Sequence, residues 1–222
     1  MTAFHPFELA HAAGLDLRAD RFPTVVTAWN EAAVELPPTG THFGFVHAGA
    51  AEVGTPAGRF RLAAGMYFAV PGWVWLRGGS GLLITAERHR GLFQIGGPVE
   101  ATGRLRYIDG CTDSLLISPP LLGDPCLNLL HIPPGTRQTA HTHPSIRVGL
   151  VVRGSGECAT PNARYSLRPG LGFVIAADAL HSFHTNHEPL LVIAYHPDSD
   201  FGPTHECHPM VNRTILPRKD RA

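Results

Sequence analysis

The chain has 222 residues, 44% of them hydrophobic and 16% charged, and its 18 basic and 18 acidic side chains give a formal net charge of zero. That is enough apolar material for one sizeable core or two modest ones. No basic stripe is present to meet a phosphate backbone, which argues against a nucleic-acid partner, and no apolar run reaches membrane-spanning length.

The N-terminal stretch Met1 to Asp20 lacks a basic region followed by an apolar one, so the expectation is a cytoplasmic protein. Helical periodicity is weak everywhere, and Pro6 to Leu15 is the one stretch that reads as a helix. Then come short runs rich in Val, Ile, Leu and Phe. They are Phe43 to Val46, Met66 to Val70, Gly81 to Thr85, Ser114 to Ile117, Leu127 to Ile132, Val148 to Val152, Phe173 to Ala176 and Leu190 to Tyr195. Twenty-four glycines and 20 prolines punctuate them. Many short strands between turn signals imply an all-β sandwich or barrel.

The four cysteines, Cys111, Cys126, Cys158 and Cys207, are irregularly spaced and form neither a C-x2-C pair nor an evident disulfide framework. Lysine occurs once, at Lys219, amid abundant Arg, Ala, Gly and Pro, a bias expected of a GC-rich bacterial genome. Histidine is plentiful, with 14 residues, and is the commonest metal-binding side chain.

The chemistry concentrates in the second half. His141 and His143, at i and i+2 on a strand, point to one face of a sheet. Gly135 precedes them by six residues, and Arg147 and Gly154 follow. A second block runs from Gly170 through Ala176, Ala177 and Asp178 to His181. A third imidazole arriving from another strand closes three corners of a metal coordination sphere. With no carboxylate among them, these ligands disfavour Mg and Ca and suit Fe(II), Zn, Cu, Ni, Co or Mn.

This spacing resembles the paired motifs of the cupin superfamily, G-x5-H-x-H-x3-E-x6-G and G-x5-P-x-G-x2-H-x3-N. The chain departs at the carboxylate, where it carries Arg147. The resemblance implies a bicupin: two tandem cupin barrels, residues 1–98 degenerate and residues 99–222 metal-binding. Placing Gly49 on Gly154 puts Leu36 and Pro38 at the positions of His141 and His143, and His42 at that of Arg147. Placing Pro71 on Ala176 puts Leu76 at that of His181.

Within that superfamily, three-histidine sites without the Glu are similar to those of thiol dioxygenases and of gentisate- or salicylate-type ring-cleaving dioxygenases. The resemblance therefore implies one divalent metal, Fe(II) foremost, on His141, His143 and His181, and dioxygenase activity on a small anionic or aromatic substrate. Two alternatives stand beside it: Lewis-acid isomerase, cyclase or lyase chemistry at the same site, and a non-catalytic sensor or binding barrel.

Arg147 cannot shed its charge, so inside a barrel it must meet an anion. It clamps a substrate carboxylate, as a catalytic residue, pairs internally, with Glu157 or Asp178 as partner, or snorkels out of the barrel mouth. Phe183 shares the face of His181, as ordinary core or as a pocket wall, whereas His184 points outward. Tyr195 or His196 is a further candidate for the barrel mouth. His205, Cys207 and His208 form a ligand-like cluster in the tail, and two such chains would be able to pair as a homodimer.

Overall fold

The computed structural model describes residues 2–11 and 14–215 and consists almost entirely of strands and turns, in line with the all-β expectation. Pro6 to Leu15 is not a helix. Phe4–Glu8 and Gly14–Leu17 are strands on either side of a 3-10 turn at Leu9–His11, and residues 12 and 13 lie outside the described residues. Pro6 lacks an N–H to donate, which an edge strand tolerates, and Phe4–Glu8 is the edge of its sheet. Among the described residues no helix is long and apolar enough to cross a membrane.

The strands form two pairs of sheets. In the first half, a six-stranded sheet centred on Gly40–Ala48 and Ser80–Glu87 faces a four-stranded sheet that includes Ala50–Thr55 and Val74–Arg77. In the second half, a seven-stranded sheet centred on Arg147–Gly154 and Leu190–His196 faces a three-stranded one that includes Gly156–Ala159 and Ser182–His184. One strand crosses the expected division at residues 98 and 99. Phe4–Glu8 pairs antiparallel with Leu171–Ile175 and so belongs to the second-half sheet.

Side-chain parity explains why the central strands are apolar on both faces. Along Leu190–His196, Leu191, Ile193 and Tyr195 enter the layer between the two large sheets, while Leu190 and Val192 enter the second-half core. The same intersheet layer takes Phe43, Phe45, Leu82 and Ile84 from the first half. Each such buried side chain contributes about 1.5–3 kcal/mol, so the two halves are joined by a continuous core rather than by a linker.

The halves repeat in backbone detail. Gly49 and Gly154 both hold positive φ, at 72° and 77°, as do Gly65 and Gly170, at 85° and 82°. A Cβ on Gly154 would lie 1.7 Å from the Pro189 carbonyl oxygen, so that turn admits only glycine. The ladders correspond as well. Leu36 faces Val74 as His141 faces His181, and Val53 faces Leu76 as Cys158 faces Phe183. The first-half counterpart of His181 is therefore Val74, not Leu76. The turn after Val70 is two residues shorter than the one after Ile175, and counting at constant spacing overshoots by that amount.

Candidate metal centre

His141, His143 and His181 converge. Each offers a ring nitrogen, and these atoms all lie within 4.8 Å of one another. His141 and His181 are clamped by reciprocal backbone hydrogen bonds, each N–H donating to the other's carbonyl at 2.9 and 3.0 Å. Beyond this bridge the chain leaves the ladder at Thr142 to Pro144, so the two histidines of the H-x-H stretch do not share a continuous strand as expected. A turn holds His143 instead. Its carbonyl accepts the Asp178 N–H at 2.7 Å, and Asp178 occupies the left-handed region at φ 58°. Asp178 stands where the motif has its second glycine, and Asp is among the few other residues that adopt this conformation readily.

Tautomer and direction follow from the partners of the rings. Nδ1 of His141 donates to the Thr139 carbonyl at 2.8 Å, and Nδ1 of His181 to the Ala179 carbonyl at 2.9 Å. A carbonyl only accepts, so Nδ1 carries the proton and Nε2 presents a free lone pair. Burial, reinforced by Arg147 and the neighbouring imidazoles, pushes His143 down to about 3. Burial also brings His181 to about 4. The two rings are thus neutral at pH 7, the form that binds a metal. The converging nitrogens fit one tetrahedral or octahedral transition-metal ion with open positions.

The three imidazoles line one end of a cavity of about 280 Å³. Its walls are apolar, including Phe173, Phe183, Leu130 and Val192. Phe183 is both a wall of this cavity and a buried member of the second-half core, whereas His184 points away, beside Ser182 and Glu157. His196 faces the cavity with its ring centroid 6.3 Å from that of His143, and burial holds it neutral. Tyr195, its neighbour, lies wholly in the intersheet layer and does not reach the barrel mouth.

Arg147 also lines this cavity. Its internal partner is neither Glu157, which pairs with Arg164, nor Asp178, but Asp198, with Nη1 3.6 Å from Oδ1. Asp198 lies just past the last strand, and the antiparallel return of that strand brings it beside Arg147. The pairing uses one corner of the guanidinium only: Nε is buried and has no partner among the described residues. In the first half His42 holds the corresponding position, and there both ring nitrogens are satisfied, by Thr85 Oγ1 at 2.8 Å and the Pro37 carbonyl at 3.0 Å.

Five polar residues of the cavity escaped sequence reasoning: Arg106, Tyr107, Asp113, Asn128 and Gln138. Tyr107 stands edge-on to His141 with ring centroids 6.5 Å apart. Gln138 Oε1 accepts the Phe183 N–H at 3.1 Å and fixes the loop that leads to His141. Asn128 interrupts the apolar run Leu127 to Leu130, a signal that would have marked it, whereas Asp113 sits between Thr112 and Ser114 and carries no such mark. The tail residues His205, Cys207 and His208 do not gather into a three-ligand group among the described residues.

Residues 128–196 match the family model of the Cupin domain. No curated protein matches the chain in sequence. Among solved structures, a Cupin 2 conserved barrel domain protein from Leptotrichia buccalis superposes with a TM-score of 0.64 at 11% identity, covering 86% of this chain and 94% of its own. A glyoxylate-induced protein from Pseudomonas aeruginosa gives 0.65 at 10% identity, with 92% of each chain covered. An oxalate decarboxylase from Bacillus subtilis, described for its Mn(II) centres, gives 0.55 at 12% identity, covering 89% of this chain and 78% of its own. The chain has the cupin fold, and its second half contains a cupin domain.

Proposed function

We propose that the chain is a bicupin whose second unit is a metal-dependent enzyme acting on a small carboxylate, in its sharpest form an Fe(II) dioxygenase. The bicupin reading is supported by the matching glycine turns and ladder registers of the two halves. The functional reading is carried by one observation: Arg147, whose buried Nε has no partner among the described residues, lines the same cavity as the three imidazoles of His141, His143 and His181. A buried N–H without a partner costs free energy that an anionic ligand recovers.

His141, His143 and His181 would hold the metal through ring nitrogens. Bound there, a divalent transition metal supplies Lewis-acid or redox chemistry at its open coordination positions. Arg147 binds and orients the substrate carboxylate through Nε, while Asp198 and Ser145 fix the other side of its guanidinium. Three neutral imidazoles leave the metal's charge uncompensated, and Arg147 adds to it, which favours anionic substrates. The aromatic and aliphatic walls exclude water from the reacting atoms. Burial raises the Tyr107 hydroxyl above its ordinary value, so it keeps its proton and serves as a donor at the cavity wall.

A second reading is Lewis-acid chemistry, such as decarboxylation, and it is favoured by the likeness to the Mn(II)-containing oxalate decarboxylase. The two separate in one experiment. Protein loaded anaerobically with Fe(II) or Mn(II) is mixed with a panel of small carboxylates, and O2 uptake and CO2 release are followed. Substrate-dependent O2 consumption by the Fe(II) form supports the dioxygenase. CO2 release by the Mn(II) form without net O2 uptake supports the lyase. Ligand binding with neither leaves a non-catalytic barrel.

A further inference from the structure

The cavity has a second polar pole, remote from the histidines. Asp113 and Asn128 both line it and are joined by a 3.3 Å hydrogen bond from Asn128 Nδ2 to Asp113 Oδ2. Asn128 Oδ1 is buried and accepts no hydrogen bond from the described residues. Among the described residues Asp113 forms no ion pair, and burial pushes its carboxyl up to about 6. A pole made of acceptors, one of them orphaned, calls for a hydrogen-bond donor.

The ladders place this pole relative to Arg147. Asn128 faces Ala194, and Ala194 faces Gly149, two residues along the strand from Arg147. Asn128 is therefore two strands across and two residues along, about 10 Å by about 7 Å between backbones. Between them stand Ala194, whose side chain is only a methyl group, and Gly149, which the Phe173 ring covers. A Cβ at Gly149 would lie 2.1 Å from the Phe173 ring, so this residue gives Phe173 its place in the wall.

We infer that the substrate is bifunctional: a carboxylate held by Arg147 at the metal end, and a hydroxyl or amino group that donates to Asn128 and Asp113 at the other. This rests on the proposed carboxylate site and adds the group that selects among carboxylates. Asp113 and Asn128 thus act as specificity residues.

The test is calorimetric titration of metal-loaded protein with butyrate, 4-hydroxybutyrate and 4-aminobutyrate. In wild type the two donor-bearing ligands are expected to bind about tenfold more tightly than butyrate. In Asn128→Leu and Asp113→Leu that preference is expected to shrink to about twofold or less, with butyrate affinity and metal content kept, which also shows that the variants are folded. The wild-type comparison stands even if a variant fails to fold. Equal binding of all three ligands to wild type, or a preference that survives both substitutions, overturns the inference and leaves the carboxylate site intact. Binding of none of them removes the carboxylate site itself, and the inference with it.

Discussion

Arg147 and Asp198 meet at one corner of the guanidinium, Nη1 to Oδ1 at 3.6 Å with the Ser145 hydroxyl bonded to both, while Nε is left buried and unpartnered. The pairing neutralises the arginine without using up its donors. Arg147→Met is therefore expected to weaken carboxylate binding by about 10- to 100-fold, the worth of a hydrogen bond to a charged group, with metal content unchanged. Titration of the metal-loaded variant checks this, and an unaltered affinity would mean that the guanidinium serves the fold alone.

The same histidines set the acid stability of the metal-free protein. His143 at about 3 and His181 at about 4 stay neutral when folded, as does His196, whereas in the unfolded chain they titrate near 6.5. Between about pH 6.5 and 4 the unfolded state binds more protons, so stability falls as pH falls. Asp113 works in the opposite sense, since its folded carboxyl at about 6 takes a proton before the unfolded one does. Three imidazoles outweigh one carboxyl. The melting temperature should drop between pH 7 and pH 4.5, and a flat or rising trace would contradict the assignment.

A relay supports His141 from outside the ring of ligands. Asp109 accepts the Thr139 N–H at 2.6 Å and its hydroxyl at 3.2 Å, and the Thr139 carbonyl accepts Nδ1 of His141. Asp109 itself is held at φ 54°, in the left-handed region. Partners beyond the first ring of ligands typically govern metal affinity by 10- to 100-fold, and this one acts through an intervening peptide. Asp109→Ala should weaken metal binding by up to about tenfold, measured by competition with a chelator. An unchanged dissociation constant would show that the contact only anchors the loop.

The N-terminal strand serves the second half. Phe4 is buried between Tyr165 and Phe173, with ring centroids 4.6 and 5.1 Å away, and Phe173 is a cavity wall. Phe4→Ala should cost about 3–5 kcal/mol in stability. Denaturant unfolding checks the loss. A cost below about 1 kcal/mol would mean that the strand is dispensable to that sheet.

The strands and the histidine triad were legible because both signals are local. Apolar runs between glycines mark the strands, the order Gly135, His141, His143, Gly154 holds two of the ligands within 20 residues, and His181 follows Gly170 at the motif's own spacing. What escaped depends on distant pairing. Phe4 finds Ile175 only through the sheet, Asp198 reaches Arg147 only after the last strand returns, and Asp113 meets Asn128 across a hairpin. The counterpart of His181 slipped from Val74 to Leu76 because the two turns differ in length, a difference that apolar residues alone do not reveal.

The most direct measurement is metal content per chain after anaerobic Fe(II) loading and desalting, in wild type and in His143→Ala. We expect close to one equivalent in wild type and almost none in the variant, with both proteins folded. No retained metal in wild type, or equal amounts in the two, would contradict the account and leave a barrel that binds its ligand without a metal.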